Sequence, residues 1–122
     1  MLAMNCFIHP SVLMRKSSLE TVGGYDESPA CRHVEDFDLW LKLGKVGKMA
    51  NLPIYGIRYT LSATQISAKH KLEQFRKSVS LINKYRHDYP HAGRAILRAY
   101  VRLVAYGYLN AGWLSKLTSR KA

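Results

Sequence analysis

Three carboxylates occupy four consecutive positions of this sequence, at Glu35, Asp36 and Asp38. An apolar pattern of helical spacing follows at once, made by Leu39, Leu41, Leu43 and Val46. A helix that begins near Glu35 places all three acids in its first turn, where unpaired backbone N–H groups stabilise negative charge. Two interpretations are open at this point. The acids form an ordinary acid-rich helix start, or one of them is a catalytic base held at a helix N-terminus beside a substrate cleft.

Length and composition indicate one small domain. With 122 residues and 48% hydrophobic content, the chain can fill a single core. Its two cysteines, Cys6 and Cys31, are too few for a disulfide scaffold. The N-terminus lacks the basic start and long apolar run of a signal peptide. We therefore expect a reducing, cytoplasmic setting.

Positive charge is concentrated in the second half of the chain. The formal net charge is +11, and residues 61–122 hold 12 Lys and Arg against 2 Asp and Glu. Such a half attracts polyanions, which include nucleic acid, an anionic membrane surface and a phosphorylated substrate. No nucleic-acid motif is recognisable, so we do not expect nucleic-acid binding and favour an anionic membrane surface as the partner.

Local patterns predict short strands in the first sixty residues. Residues 5–14 and residues 48–59 each have the composition of two short extended segments. A proline separates the two segments in each range, Pro10 in the first and Pro53 in the second. A loop is predicted from Ser62 to Ser67. Together with the helices described next, these strands predict a mixed α/β fold.

Helices are predicted in four places. A short one begins near Ser17 and ends at Gly23 and Gly24, because glycine accepts the left-handed conformation on which helices often finish. The acidic helix runs over about 35–45. Apolar residues then recur at helical spacing over about 68–87 and again over about 92–117.

The last of these helices combines basic and aromatic residues. Arg94, Arg98 and Arg102 are four positions apart and share a face, and Trp113 follows. The longest uncharged run, 103–115, has 13 residues, whereas a membrane span needs about 20. The segment suits a helix lying in a membrane interface, or a helix packed on protein outside this chain, and both remain open.

A zinc site is the first alternative function. Cys6, His9, Cys31 and His33 offer four soft ligands. However, the spacing of the second pair is unusual, and His9 precedes Pro10 in a strand-like segment. We expect buried cysteines and surface histidines, and no metal site in this chain.

Several short motifs occur in an order that is specific as a set. They are Asn5 to Ser11, Arg15-Lys16, Val22-Gly23-Gly24-Tyr25-Asp26-Glu27, Glu35-Asp36-Phe37-Asp38-Leu39-Trp40-Leu41-Lys42-Leu43, Gly47, Asn51-Leu52-Pro53 and Gln65-Ile66-Ser67. This order resembles the C-terminal half of family 2 glycosyltransferases, over roughly residues 5–67. These are inverting, nucleotide-sugar-dependent enzymes with the GT-A fold.

The resemblance implies a role for each of several residues. Asp36 would be the general base that deprotonates the acceptor hydroxyl. Glu35 and Asp38 would bind the acceptor or brace the helix start, and Trp40 would stack on a sugar ring. The substrate-binding set is completed by Gly23 and Gly24, which would shape the turn that opens the acceptor cleft.

The resemblance also predicts the architecture. It implies an incomplete GT-A-like α/β region (α+β as an isolated fragment) with short strands, a central helix from the Glu-Asp motif and two long C-terminal helices. Residues 1–67 would be the C-terminal part of the glycosyltransferase domain. Residues 68–122 would be a basic helical extension that contacts a membrane interface or missing protein.

The sequence departs from the family in two ways. The nucleotide-binding half and its Asp-x-Asp metal motif are absent, so this chain alone should be inactive and hold no cofactor. We expect Mg²⁺ or Mn²⁺ only in the full-length enzyme. The family's Arg and His before its terminal Ser are replaced by Thr60 and Ser62, which weakens any diphosphate or metal contact there.

Partners and location follow from the resemblance. They would be a nucleotide-sugar and a glycan or lipid-linked acceptor in cell-envelope polysaccharide biosynthesis, with the protein cytoplasmic or peripheral on the inner face of the cytoplasmic membrane. The alternative function is a non-catalytic basic module that docks on anionic membrane or nucleic acid.

Overall fold

The computed structural model describes residues 1–58, 60 and 70–118, with side chains as far as residue 108. In this part of the chain a 3-10 turn at His9–Ser11 precedes four α-helices. They are α1 (Lys16–Thr21), α2 (Glu35–Val46), α3 (Lys71–Lys84) and α4 (Ala92–Thr118).

The prediction of an incomplete GT-A-like α/β fold (α+β as an isolated fragment) with short strands is wrong, because the described residues form helices and turns and no strand. A strand requires a neighbouring strand for its backbone N–H and C=O groups, and neither predicted segment has one there. Within residues 5–14, His9–Ser11 instead form the 3-10 turn. Residues 51–58 form no regular structure, and Leu52, Ile54 and Tyr55 are exposed.

The predicted helices are confirmed, with small changes at their ends. The acidic helix extends to Val46, and the predicted helix over 68–87 is shortened to α3. The predicted loop over 62–67 lies outside the described residues, and so does the side chain of Trp113. The helix predicted to begin near Ser17 begins one residue earlier, at Lys16, with Arg15 as an N-cap that makes no side-chain hydrogen bond.

Helix α2 is the centre of the molecule, because it contributes to two separate apolar clusters. Phe37 and Leu41 are four positions apart and belong to a cluster shared with α3 and α4. The other cluster contains Leu39, Trp40 and Leu43, packed against the N-terminal segment and α1. An acid-rich start therefore precedes a helix that is buried around most of its circumference.

Helices α3 and α4 form an antiparallel pair. Small side chains on α4, Ala95 and Ala99, share the core cluster with Val79 and Ile82 of α3. Toward the other end of the pair, the rings of Phe75 and Tyr106 meet edge to face at 5.3 Å. The pair covers one side of α2 and so fixes the position of the acidic helix.

The loop between α3 and α4 is fastened to α2 through Tyr89. Its hydroxyl donates a 2.6 Å hydrogen bond to the Leu41 carbonyl. Gly44 makes room for this contact, because a Cβ there would lie 2.5 Å from the Tyr89 hydroxyl oxygen. A glycine inside a helix, normally unfavourable, is needed here for close packing.

Helix α4 is long, but none of the described helices is both long and apolar enough to cross a membrane. Its inner face contributes Ala95 and Ala99 to the core, and Arg102 Nη2 donates a 2.8 Å hydrogen bond to the Ala3 carbonyl. The N-terminal segment is thus attached to α4 as well as to α2.

Candidate functional site

Asp36 lies in the first turn of α2 and is half-buried. Its Oδ2 accepts a 2.8 Å hydrogen bond from Asn5 Nδ2, and its Oδ1 accepts one of 2.7 Å from the Phe37 backbone N–H. Both carboxylate oxygens are therefore held by neutral donors, while part of the group stays open to solvent. This arrangement fixes the direction of the carboxylate without covering it.

The side chain that holds Asp36 is itself positioned by its own segment. Asn5 Oδ1 accepts a 3.2 Å hydrogen bond from the Phe7 backbone N–H, which leaves the amide nitrogen directed at Asp36. The Phe7 ring packs edge to face on Trp40, with centroids 5.9 Å apart. Burial of Trp40 therefore anchors the segment that supplies Asn5.

Two further polar side chains lie beside Trp40. His9 Nε2 is 2.7 Å from the Tyr25 hydroxyl oxygen, and both residues are exposed. The His9 ring also lies 5.9 Å from the Trp40 ring. Because Trp40 follows Asp36 by one helical turn, His9 and Tyr25 lie along the same side of α2 as Asp36.

From the sequence, His9 was considered only as a zinc ligand, and Tyr25 was assigned no role. The available signal was their position inside two of the motifs that carried the family resemblance, Asn5 to Ser11 and Val22 to Glu27. Their proximity to each other depends on how the turn after α1 folds back on α2, which the spacing of residues does not reveal.

Asp38 is fully buried and surrounded by donors. Its Oδ1 accepts hydrogen bonds from the Tyr85 hydroxyl at 2.8 Å and from Lys84 Nζ at 3.1 Å. Its Oδ2 lies 2.8 Å from Lys42 Nζ. Burial alone would raise the pKa of Asp38, but these three donors more than offset it and hold the pKa below its ordinary value.

The same network also shifts the pKa values of Tyr85 and Lys84. Burial, and then the hydrogen bond to Asp38, raise the pKa of Tyr85 to about 12. For Lys84, burial would lower the pKa, but the hydrogen bond to Asp38 raises it above its ordinary value. At neutral pH the network therefore holds one carboxylate, a neutral phenol and two ammonium groups, and Asp26, 3.9 Å from Lys84 Nζ, supplies the second negative charge.

The two predicted glycines form a left-handed turn directly after α1. Gly23 and Gly24 have φ of +74° and +68°, a conformation that favours glycine. The Gly24 N–H donates to the Leu19 carbonyl at 3.0 Å, and the Gly24 carbonyl accepts a 3.3 Å hydrogen bond from Lys42 Nζ. The turn that presents Tyr25 is thus joined through Lys42 to Asp38. Its role at an acceptor cleft stays a prediction.

The other predicted residues occupy contrasting positions. Glu35 is exposed at the first position of α2. Trp40 is fully buried, and Phe7, Val12 and Met14 are among the residues packed around its cluster. A sugar could stack on Trp40 only after the N-terminal segment moved. The stacking role of Trp40 stays a prediction.

One cluster of acids lies close enough to be considered for a hard divalent cation. The ligand atoms of Asp26, Cys31 and Asp38 all lie within 4.8 Å of one another. However, Lys84 Nζ lies 3.1 Å from Asp38 and 3.9 Å from Asp26, and its ammonium group would repel a metal ion. This cluster therefore does not fit Mg²⁺ or Mn²⁺, which prefer several unshared oxygen ligands.

The four ligands of the zinc alternative do not meet in the described residues. Cys31 is buried, and Cys6 is exposed. His9 contacts Tyr25, whereas the His33 ring stacks on the ring of His70. The chain therefore brings His33 together with a different set of residues from the one expected.

Comparison with known protein families identifies the class. The chain matches the sequence model described as Glycosyltransferase like family 2 over residues 4–105. This match extends beyond residues 5–67, which carried the resemblance. The chain therefore belongs to the glycosyltransferase-like family 2, which indicates sugar transfer from a nucleotide-sugar donor to an acceptor. No curated protein and no solved structure matches the chain.

Proposed function

We propose that this chain supplies the acceptor side of an inverting sugar transfer in which Asp36 is the general base. The acceptor oxygen forms a bond to the anomeric carbon, the bond from that carbon to the nucleotide diphosphate breaks, and the hydroxyl proton passes to Asp36. The nucleoside diphosphate leaves with the electron pair. A single displacement of this kind inverts the anomeric configuration.

The contrast among the three acids of α2 carries this proposal. Asp36 is held by Asn5 at 2.8 Å and is still partly open. Asp38 is fully buried beside two lysines, so an acceptor hydroxyl cannot reach it. Glu35 is exposed at the helix start. Among these acids, Asp36 combines a fixed orientation with access, which a base requires.

We assign the surrounding residues to acceptor binding and positioning. Glu35 and the exposed pair His9 and Tyr25 offer groups that can hydrogen-bond sugar hydroxyls on the Asp36 side of α2. Trp40 acts indirectly, because its buried ring packs against Phe7 and so anchors the segment that carries Asn5. Asp38 acts through Lys42 on the turn at Gly24, which positions Tyr25.

We infer that the nucleotide and its Mg²⁺ or Mn²⁺ bind to residues outside this chain. Support comes from the acidic cluster at Asp26, in which a lysine ammonium group lies between the carboxylates. The chain alone should then bind acceptor without transferring sugar. Reading about 100–150 codons upstream of Met1, the length of a domain, tests this inference. An in-frame Asp-x-Asp is expected, and without one the account requires a partner chain.

Product stereochemistry tests the reaction type. The transferred sugar should have the anomeric configuration opposite to that in the donor, as read from the proton coupling constant at its anomeric carbon by NMR. A product with retained configuration would require two displacements or a front-face mechanism. Either would overturn the proposal that Asp36 simply deprotonates the attacking hydroxyl.

A specific surface supports a second proposal, docking of this protein on an anionic membrane. One face of α4 exposes Leu97, Tyr100, Val101, Val104 and Tyr108, and exposed Arg94 and Arg98 lie along its edge. An apolar stripe bordered by arginines is typical of helices that lie in the interface of anionic bilayers. A lipid-linked acceptor and a place on the inner face of the cytoplasmic membrane would follow.

Vesicle sedimentation at low salt tests this docking. The chain should bind vesicles containing phosphatidylserine and ignore purely zwitterionic ones, and Val101→Asp should reduce binding strongly. Val46→Asp is a matched control, because Val46 is also more than half exposed but lies on α2. Failure to bind anionic vesicles would overturn the proposal. Binding to any DNA duplex, falling steeply with salt, would favour the basic module without chemistry.

A further inference from the structure

Two imidazoles and a carboxylate converge outside the site described above. The ligand atoms of His33, His70 and Glu73 all lie within 4.8 Å of one another. His33 stands in the loop before α2, whereas His70 and Glu73 belong to the start of α3. The two imidazole rings are stacked, with centroids 4.4 Å apart and planes inclined by 19°.

The loop that carries His33 is attached firmly to α3. Lys77 Nζ donates to the carbonyls of Pro29 and Arg32, at 2.8 and 3.0 Å. Gln74 Nε2 donates to the His33 carbonyl at 2.9 Å. These bonds hold His33 beside His70 even though its backbone is left-handed, at φ +71°, which a residue with a side chain adopts only when its surroundings enforce it.

The distances suit a small tetrahedral ion. His70 Nδ1 lies 3.2 Å from Glu73 Oε2, and two ligands of a tetrahedral zinc with bonds of 2.0–2.1 Å are about 3.3 Å apart. Stacked imidazole rings direct their nitrogen lone pairs into parallel planes, so His70 must rotate out of the stack to share one ion with His33. The side chains of His70 and Glu73 are 44% and 43% exposed, which leaves room for this rotation. Three protein ligands would leave a fourth position for water.

The nature of the ligands selects the metal. Imidazole suits Zn²⁺, Co²⁺ and Ni²⁺, whereas Mg²⁺ and Mn²⁺ prefer oxygen ligands. Lys77 Nζ pairs with Glu73 Oε1 at 2.8 Å, whereas Oε2 faces His70 Nδ1 at 3.2 Å, so a metal bound to both atoms would replace the proton between them. This neighbouring ammonium group also reduces the attraction for a cation, so we expect moderate affinity.

We propose that His33, His70 and Glu73 bind a zinc-class divalent cation that joins the loop before α2 to the start of α3. Because His33 precedes Asp36 by three residues, the bound ion would stiffen the approach to the catalytic end of α2. The site is independent of the sugar-transfer proposal. Measurements of metal binding test it without any assay of sugar transfer.

Calorimetric titration of the 122-residue chain with Zn²⁺ tests the site. One ion should bind per chain, and Mg²⁺ should not bind. His33→Asn and His70→Ala should remove binding at zinc concentrations that saturate the unchanged chain. The first substitution keeps a residue that tolerates left-handed backbone. Glu73→Gln should weaken binding by about tenfold or more, and His87→Ala, on an exposed histidine in the turn after α3, should change nothing.

The Co²⁺ absorption spectrum supplies a second readout. Tetrahedral bands without a thiolate charge-transfer band are expected, because no cysteine belongs to the set. Far-UV circular dichroism checks that each variant keeps its helices, and zinc should raise the melting temperature of the unchanged chain and of His87→Ala only. The proposal would be overturned by any of three results. These are the absence of one-to-one zinc binding, binding that survives both histidine substitutions, and a thiolate band that points to Cys6.

Discussion

Asn5 and Asp36 are 31 positions apart in sequence, yet the Asn5 amide nitrogen lies 2.8 Å from the Asp36 carboxylate. This bond joins the N-terminal segment to the start of α2 at the point where we propose that the proton is transferred. The same segment is held by Phe7 on Trp40 and by Arg102 on Ala3. Orientation of Asp36 therefore depends on packing some distance from the carboxylate itself.

Asn5→Ala should slow sugar transfer more than it lowers stability. Removing the amide frees the carboxylate to rotate away from the acceptor. The lost hydrogen bond is partly exposed and should lower the free energy of unfolding by only about 0.5–1.5 kcal/mol. The measurement compares kcat with the urea midpoint. If kcat is unchanged while the midpoint falls, Asn5 has only a structural role.

Asp38→Asn should destabilise the fold. The substitution leaves Lys42, Lys84 and the buried Tyr85 hydroxyl without their charged partner, which costs about 1–3 kcal/mol. Partial exposure of the lysines, whose side chains are 21% and 49% accessible, limits the penalty. Urea unfolding measures it. Glu20→Gln, which breaks the exposed Lys16–Glu20 pair, is the control and should have no measurable effect.

Stability should fall with acid through Asp26. Hydrogen bonds from Ser28, aided by Cys31 and the charge of Lys84, lower the pKa of Asp26 from 3.8 to about 2. The unfolded chain therefore binds more protons than the folded chain between these values. The contribution of Asp26 is complete above pH 4 and disappears as the pH falls through about 2. Urea midpoints from pH 5 to pH 2 should fall less steeply for Asp26→Asn, and an unchanged slope would contradict this origin.

Gly44→Ala should destabilise α2 although alanine favours helices by about 1 kcal/mol over glycine. The new methyl group would meet the end of the flexible Met1 side chain, which can move aside, and the Tyr89 hydroxyl at 2.5 Å, whereas the adjoining ring carbon of Tyr89 lies 3.5 Å away. Tyr89→Phe should therefore relieve the overlap, so the two substitutions together should cost less than the sum of their separate effects. Gly107→Ala, on α4 with open space around its Cα, is the control and should stabilise.

The helices could be predicted because their apolar residues repeat over several turns and end at glycine or proline. Residues 5–14 and 48–59 gave no such repeat, and short apolar runs beside proline do not distinguish a strand from a packed loop. Phe7 and Val12 supplied the apolar pattern of a strand. In the structure they are instead covered by packing near Trp40, a contact that residue spacing does not contain.

The candidate site was predictable only in part. The position of Asp36 at a helix start followed from local pattern, and its proposed role followed from family resemblance. The burial of Asp38 could not be predicted from the sequence. It depends on contacts with Lys84 and Tyr85, which are 46 and 47 positions away. The proposed contribution of His9 and Tyr25 to acceptor binding likewise could not be predicted, because it depends on how the turn after α1 folds back on α2.

Asp36→Asn is the most direct test of the account, made in the protein that carries both this chain and the nucleotide-binding region. The amide keeps the shape of the side chain but cannot take the proton, so transfer should fall by about 10²–10⁴-fold. Donor affinity, measured separately by calorimetry, should stay the same. Glu35→Gln, one position earlier on the exposed start of α2, should keep most of the activity. Turnover by Asp36→Asn at the rate of the unchanged protein would remove Asp36 from the mechanism.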